Sequence, residues 1–446
     1  MNWRRPIIKC LLSASGNKIP KILREIRSLE YAGRARVCEC SDLKLKKILL
    51  HAYDNVPYYR QVLGDCGVVA DNEVRLDNLS AVPPLTKQII QEQGENLFSE
   101  DYKSRRPYGN TSGGSTGEPV AFLQDRNYNL WNAAHKMYFA TMPGRQLGQS
   151  MIKLWGSERD ILGGKDKLLK RTSYYLFNIS TLNSFMMSDD VMREYALRWN
   201  RIRPSLVWAY ASSVLEFGRY IRRTKTQLSV PKAVICTAET LTQEMRSFIE
   251  SAFYCPVLNQ YGSREVGAVA CECLHQNMHI FSLHNKLEIL DDNLQRSNEG
   301  EVYLTTLNNY TMPLIRYRIG DTAVVSDRQC ECGRSWPLIE KLTGRLIDHF
   351  VTSDGRVVQA EFFIHFVGVV YNDGSLEKFQ VIQKDYDHIV IKAVVRDQMK
   401  FAESKASIAN AIKKTMGNDC RVDFEFVNEI RPSKSGKHIY TICEVK

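Results

Sequence analysis

The sequence predicts an α/β chain in two parts: a large domain of mixed sheets and helices over 1–347, and a small α+β domain over 349–446. Three observations carry this. At 446 residues the chain is longer than one hydrophobic core usually serves. From about 120 to 345, short apolar runs alternate with longer amphipathic ones, the pattern of a parallel or mixed sheet covered by helices. Near 346–350 the character changes to a strand pair, one helix and a further strand, enough for a small domain of its own.

Taken in order, the chain opens with a helical leader over 1–100. Within it, Leu45, Ile48, Leu49 and Ala52 recur at helical spacing, predicting a helix over 41–63 that Ser41 or Asp42 caps and Pro57 stops. Leu206-Val-Trp208 reads as a strand before a helix over Val214–Arg223. Ala233-Val-Ile-Cys236 reads as another, before a helix opened by a Thr240-x-x-Gln243 capping box. That helix sets Leu241, Met245, Phe248, Ile249 and Ala252 on one face, and Pro256-Val-Leu258 follows as a strand. Beyond the boundary, 379–383 and 388–395 alternate as strands around a Lys384–Asp387 turn. A helix over 402–416 ends at Gly417, and a strand over 421–427 follows.

Composition excludes several classes. No apolar run approaches the ~18 residues that cross a bilayer. The opening MNWRRPIIKCLLSASG is basic with a short apolar centre, but Lys9 interrupts it and no cleavage site follows, so export is not expected. Twelve cysteines in a chain this long do not make a disulfide scaffold, and are expected reduced in a cytoplasmic protein. The net charge of +10 is scattered apart from Arg201–Arg203, Arg222–Lys225 and the first thirty residues. Nucleic acid is therefore not expected as a partner, and the basic opening segment allows at most a weak peripheral membrane contact.

The densest functional signal is Tyr108-Gly-Asn-Thr-Ser-Gly-Gly-Ser-Thr-Gly-Glu-Pro119. Glycine admits positive φ and close approach, so successive N–H groups can converge on an anion, and the hydroxyls of Thr111, Ser112, Ser115 and Thr116 add donors. A Gly/Ser tract also serves as a linker, but apolar periodic sequence flanks this one closely on both sides. No Gly-Lys-Ser/Thr follows, so it is not a Walker A loop.

Four further motifs follow in fixed order: Asn259-Gln-Tyr-Gly-Ser-Arg-Glu265, Arg316-Tyr-Arg-Ile-Gly-Asp321, Thr343-Gly-Arg-Leu-Ile-Asp348 and Pro432-Ser-Lys-Ser-Gly-Lys437. Each alone is weak; a Tyr-Gly is usually a turn and an Arg/Asp pair a salt bridge. Together they resemble the adenylate-forming superfamily of acyl-CoA synthetases. His51-Ala-Tyr-Asp-Asn-Val-Pro-Tyr-Tyr59 and Val82-Pro-Pro-Leu-Thr-Lys87 extend the resemblance to its phenylacetate–CoA ligase-like branch, which includes adenylating enzymes of capsular polysaccharide biosynthesis.

The resemblance implies adenylation of a small carboxylic acid by ATP and Mg2+. The acyl group then passes to an acceptor, CoA by default or an amine in the runner-up reading; a non-catalytic nucleotide-binding protein is the rival of another class. Thr111, Ser112, Gly113, Gly114, Ser115, Thr116 and Gly117 would surround the β- and γ-phosphates. Tyr261 would lie against adenine, with Ala238, Glu239, Gly262 and Ser263 also lining the nucleotide. Glu265 would hold magnesium, which suits an oxygen ligand. Asp321 would bind the ribose hydroxyls, with Arg345 near the same sugar or the phosphates. Asp348 matches a hinge that makes the small domain mobile, and Lys437 the lysine that bridges substrate carboxylate and α-phosphate. Two positions depart from the pattern: Arg264 stands where Ser or Thr is usual, giving it a possible catalytic charge, and Glu118-Pro-Val120 lacks a lysine many relatives carry.

The same resemblance selects a structural zinc set over 271–332. Relatives carry a similar Cys…His…Cys-x-Cys pattern, which favours Cys273 over Cys271 and His279 over His275, joined by Cys330 and Cys332. Four protein ligands leave no open position for catalysis.

Overall fold

The computed structural model describes residues 2–14, 17–112, 120–156, 167–184, 187–343, 350–358, 362–363, 366–367, 375–430 and 440–445. The sequence-predicted site residues Gly113–Gly117, Arg345, Asp348 and Lys437 lie outside them. By compactness the described chain falls into two units that interleave along the sequence. One draws on 1–111, 120–148 and 258–345, the other on 149–257 and 346–446.

In the first unit, antiparallel strands meet in the order Asn285–Leu290, Glu299–Thr306, Tyr317–Ser326, Leu338–Thr343, Met278–Ile280, Gly267–Glu272 and Val257–Ser263. Their apolar sides, among them Val302, Leu304, Tyr317 and Ile339, pack with Leu45, Ile48, Leu49, Ala52 and Tyr59 in one core. The leader helix is longer than expected. It runs Arg34–Asn55, because Gly33 at φ +90° turns the chain into it and donates its N–H to Ser335 Oγ at 2.9 Å. Ser41 and Asp42 are therefore interior positions rather than caps, and Asp42 takes an ion pair from Lys286 at 2.6 Å. Pro57 does not end the helical region; it occupies the first turn of the helix Pro57–Asp65, where its missing N–H costs nothing.

Arg316 is the most deeply buried cation of this unit, 1% exposed and at φ +50°. Its guanidinium donates to the carbonyls of Ser80, at 2.8 Å, and of Val82, and faces Glu288 at 3.6 Å. Burial pushes the Glu288 carboxyl up, and Arg316 draws it back. The Arg316 carbonyl accepts from Leu85 N at 3.0 Å, while Arg318 N donates to Leu85 O at 3.0 Å, so Leu85 runs parallel beside Tyr317.

The second unit holds the parallel strands Met151–Trp155, Ile179–Asn183, Leu206–Tyr210 and Val234–Thr237. Helices Asp189–Ile202, Ala211–Arg223 and Gln243–Phe253 follow the last three and bury Trp199, Phe217, Ile249 and Phe253 with the strands' Val207, Ala209 and Val234. The cap of the third helix is Thr242, whose Oγ1 accepts from Met245 N at 3.2 Å, and not Thr240. The helix starts at Gln243, two residues further on than a box opened at Thr240 implies, because two threonines flank Leu241 at the start of the apolar stripe and the backbone uses the second.

Residues beyond 350 form a four-stranded sheet in the order Arg421–Phe426, His388–Val395, Leu376–Asp385, Thr441–Cys443, with the helix Gln398–Met416 against it. The central pair is an antiparallel hairpin and both outer strands run parallel to their neighbours. Phe350, Phe363, Phe379, Val381, Ile391, Phe401, Ile408 and Ile412 form its hydrophobic cluster.

Replacing Arg316 by Ala leaves the buried Glu288 facing the mostly exposed Arg296 at 4.0 Å in place of a buried cation, and is expected to cost about 3–5 kcal/mol. Urea unfolding measures the loss, and Glu288→Gln in the same chain should recover part of it. Unchanged stability would show that the buried pair carries no weight.

Candidate functional site

The site begins at a tight hairpin. Strands Val257–Ser263 and Gly267–Glu272 pair Ser263 with Gly267 and Gly262 with Ala268, leaving Arg264, Glu265 and Val266 as the loop. Two glycines are sterically required. A Cβ on Gly262 would sit 2.3 Å from the Gly267 carbonyl oxygen. Gly267, at φ +69°, places its own would-be Cβ 2.7 Å from the Tyr128 hydroxyl.

The loop backbone is held from several sides. Gln124 Nε2 donates to the carbonyls of Arg264, at 2.8 Å, and Glu265, at 3.1 Å; Tyr128 OH donates to the latter at 3.3 Å. Asn285 Nδ2 donates to the carbonyls of Val266 and Ala268, each at 3.1 Å. The loop is thus fixed through its main chain, while the buried Glu265 carboxylate accepts a long bond, 3.4 Å, from Tyr317 OH. A buried carboxylate so weakly engaged suits a hard cation such as magnesium. Arg264 is exposed.

Tyr261 lies on the same strand and is buried. Its hydroxyl donates to Asp321 Oδ2 at 2.8 Å, joining residues 60 positions apart. Tyr261, Glu265 and Asp321 therefore belong to one framework, with Tyr317 and Asp321 contributed by the strand that Arg316 precedes. Gln124, Tyr128, Asn285 and Tyr317 were not singled out in the sequence. Tyr317 lies inside the Arg316–Asp321 motif, and Gln124 and Tyr128 fall in the Asn/Gln/Tyr-rich stretch 124–139, a candidate pocket wall in the sequence; Asn285 is an isolated amide with no local signal.

Thr111 and Ser112 end the strand Tyr108–Thr111, which pairs antiparallel with Ala121–Gln124, so the glycine-rich segment joins two paired strands. Thr111 Oγ1 is buried with no hydrogen-bond partner among the described residues. Ala238 and Glu239 lie in the other compact unit. Ala238 adopts φ +70°, a conformation that L-residues seldom hold outside functional turns. Glu239 is committed locally: its carboxylate accepts from Ser212 N at 2.7 Å and Ser212 Oγ at 2.8 Å, satisfying the first turn of the helix Ala211–Arg223. Trp155 stacks on Tyr210 at 4.5 Å in the same unit, on adjacent parallel strands.

A second cluster in the first unit brings together Cys273, His279, Cys330 and Cys332, with all four ligand atoms within 4.8 Å of one another. Cys273 Sγ and Cys330 Sγ are 3.7 Å apart, and Cys332 Sγ is 3.3 Å from His279 Nε2. The edges of a zinc tetrahedron built on bonds of ~2.3 Å to sulfur and ~2.0 Å to nitrogen are about 3.8 and 3.5 Å, which these two distances approach. Cys271, buried and pointing its Sγ to the Glu272 carbonyl at 3.6 Å, is not of the group, and His275 is paired with Glu331. Burial holds His279 down to about 4, the neutral state a ligand needs, and pushes the Cys273 thiol up to about 12. Asn277 Nδ2 donates to Cys330 Sγ at 3.3 Å, a contact that orients the thiol.

Comparison with known proteins follows the same lines. Residues 350–444 match the CapK C-terminal domain family. Protein CapK of Staphylococcus aureus is 24% identical over 419 residues, covering 92% of this chain and 91% of its own length. A phenylacetate-coenzyme A ligase of Thermus thermophilus is 23% identical over 440 residues, covering 92% and 97%. A solved 2-hydroxyisobutyryl-CoA ligase, crystallised with 2-HIB-AMP and CoA, matches with a TM-score of 0.64 at 15% identity, covering 93% of this chain and 91% of that one. At that identity the structural likeness shows a shared fold.

Gly262→Ala is expected to cost about 1–3 kcal/mol, since the added methyl must displace the Gly267 carbonyl. Gly109→Ala, whose Cβ would meet nothing within 4 Å, is the control expected to be near neutral. Thermal unfolding of both variants checks the difference.

Proposed function

We propose, from the premise that this chain belongs with the adenylate-forming superfamily and its phenylacetate–CoA ligase-like relatives, that it activates a small carboxylic acid with ATP and transfers the acyl group to CoA. The observation that carries the proposal is the Tyr261–Asp321 pair joined to the hairpin that presents Glu265. Tyr261 would meet adenine and Asp321 the ribose hydroxyls, and the hydrogen bond between them would hold the two side chains in register. The Thr111 and Ser112 end of the glycine-rich segment would receive the phosphates.

In the first step a carboxylate oxygen of the acid attacks the α-phosphorus; the bond to the bridging oxygen breaks and pyrophosphate leaves. In the second, the CoA sulfur, having given up its proton, attacks the acyl carbon and AMP departs. Magnesium, when bound, neutralises phosphate charge in the first step. Glu265 would hold it, kept in place by Tyr317 and by the pinned loop behind it. Lys437 would supply positive charge between carboxylate and α-phosphate, Arg345 would lie near the sugar or phosphates, and rotation about Asp348 would exchange Lys437 for the acceptor. Arg264, exposed beside Glu265, is a further cation at hand.

A second reading has an amine as acceptor and an amide as product, as the resemblance to the capsule-type branch implies. ATP–pyrophosphate exchange over a panel of acids, then product analysis with CoA or amines, separates these readings; exchange with none of the acids would favour a non-catalytic nucleotide-binding protein. Glu265→Gln is expected to retain ATP binding while losing most of the exchange activity, because a neutral amide is a poor magnesium ligand. Parental exchange rates in that variant would move the metal elsewhere.

The Cys273/His279/Cys330/Cys332 cluster is assigned one zinc with a structural role, because four protein ligands complete its coordination. Metal analysis of freshly purified protein is expected to find about one equivalent of zinc. Cys330→Ser is expected to lower the unfolding midpoint. Metal-free protein with the same midpoint would remove the assignment.

A further inference from the structure

The first helix, Arg4–Ala14, has two apolar stripes and only one of them is packed. Ile8 is fully buried. The helix is tied down where Asn2 Nδ2 donates to the Leu147 carbonyl at 2.8 Å and Arg5 Nη1 to Gln146 Oε1 at 3.3 Å. On the adjoining face Trp3, Ile7 and Leu11 follow one another at four-residue spacing and are 50%, 41% and 49% exposed. Four-residue spacing puts them in a row along one face. Three large apolar side chains in a row on an exposed helix are the mark of an interaction site rather than of scattered surface residues.

The charge around that stripe is one-sided. The first 29 residues carry seven basic side chains and one acidic, so over half of the chain's net charge of +10 lies there. Arg5, Lys9, Lys18, Lys21, Arg24 and Arg27 are exposed. The one acid, Glu25, is neutralised by Lys44 at 3.1 Å, and the next, Glu30, by Arg334 at 2.8 Å. Arg4 stacks its guanidinium 4.4 Å over the Trp3 ring, an arrangement that suits a ring placed at a polar–apolar boundary.

We infer that the helices Arg4–Ala14 and Ile19–Leu29 form a docking surface for an anionic lipid bilayer, with Trp3, Ile7 and Leu11 entering the acyl boundary and the exposed lysines and arginines of the two helices drawn to lipid phosphates. Charge complementarity selects this occupant. A second copy of the chain would bring the same seven cations against themselves. A nucleic acid would satisfy the cations but give an Ile–Leu row nothing apolar to enter. A bilayer interface offers both, and no helix of the described chain is long and apolar enough to cross one. The surface lies apart from Tyr261, Glu265 and Asp321 in sequence and uses none of them.

Flotation of the full chain with phosphatidylcholine vesicles containing about one third phosphatidylglycerol tests this at ~0.1 M salt. The parent is expected to float with these vesicles and not with pure phosphatidylcholine. Trp3→Ser, Ile7→Ser and Leu11→Ser combined should lower binding tenfold or more, and so should Lys21→Glu, Arg24→Glu and Arg27→Glu combined. Circular dichroism and adenylate-forming activity of both variants should be unchanged, since all six side chains are exposed. Several results would overturn the inference: a parent that fails to float, vesicle binding undiminished in both variants, or equal binding to pure phosphatidylcholine. A parent dimer that the serine variant alone abolishes would make the stripe a self-interface. Tight binding to duplex DNA that survives in the serine variant would make the charges a nucleic-acid site.

Discussion

A single buried guanidinium organises the first compact unit. Arg316 holds the Ser80 and Val82 carbonyls and faces Glu288, so three stretches of chain far apart in sequence are joined at one point where no water can replace the lost contacts. The strand that begins at the next residue supplies Tyr317, whose hydroxyl reaches Glu265, and Asp321, whose carboxylate receives Tyr261. The site is therefore assembled from two strands, each fixed by buried polar contacts. The positive φ of Arg316 is held in place by the Nη1 bonds to Ser80 and Val82 and by its own backbone N–H, which donates to Thr305 Oγ1 at 3.0 Å.

Periodicity made most elements legible. The strands through Trp208, Cys236 and Leu258, and the helix that stops at Gly417, follow directly from apolar spacing and glycine chemistry. Boundaries were less legible. The helix at Arg34 begins at a glycine bonded to Ser335, some three hundred residues away, which no local signal reveals. Thr240 and Thr242 offer the same side chain for a cap, and only the path of the backbone chooses between them.

Motif order picks out Tyr261, Glu265 and Asp321, which hydrogen bonds through Tyr261 and Tyr317 join in one framework, and the four metal-ligand candidates lie together. What remained hidden were the supports. Gln124 and Asn285 act on main-chain carbonyls, a role any amide at the right distance fills, so the pattern of residue types carries no trace of it. Glu239 shows the converse: an acidic residue in a recognised turn whose carboxylate is taken by the backbone and hydroxyl of Ser212.

The interleaving of the first unit has a consequence for its birth on the ribosome. Leu45, Ile48, Leu49 and Ala52 pack against Val302, Leu304 and Tyr317, which are made more than two hundred residues later. At roughly 5–20 residues per second the leader helices wait some ~10–50 s with their apolar face uncovered. The strand hairpin Leu376–Val395, by contrast, finds its partner within one turn. The early helices are thus the part of the chain most in need of shelter by a chaperone while synthesis continues.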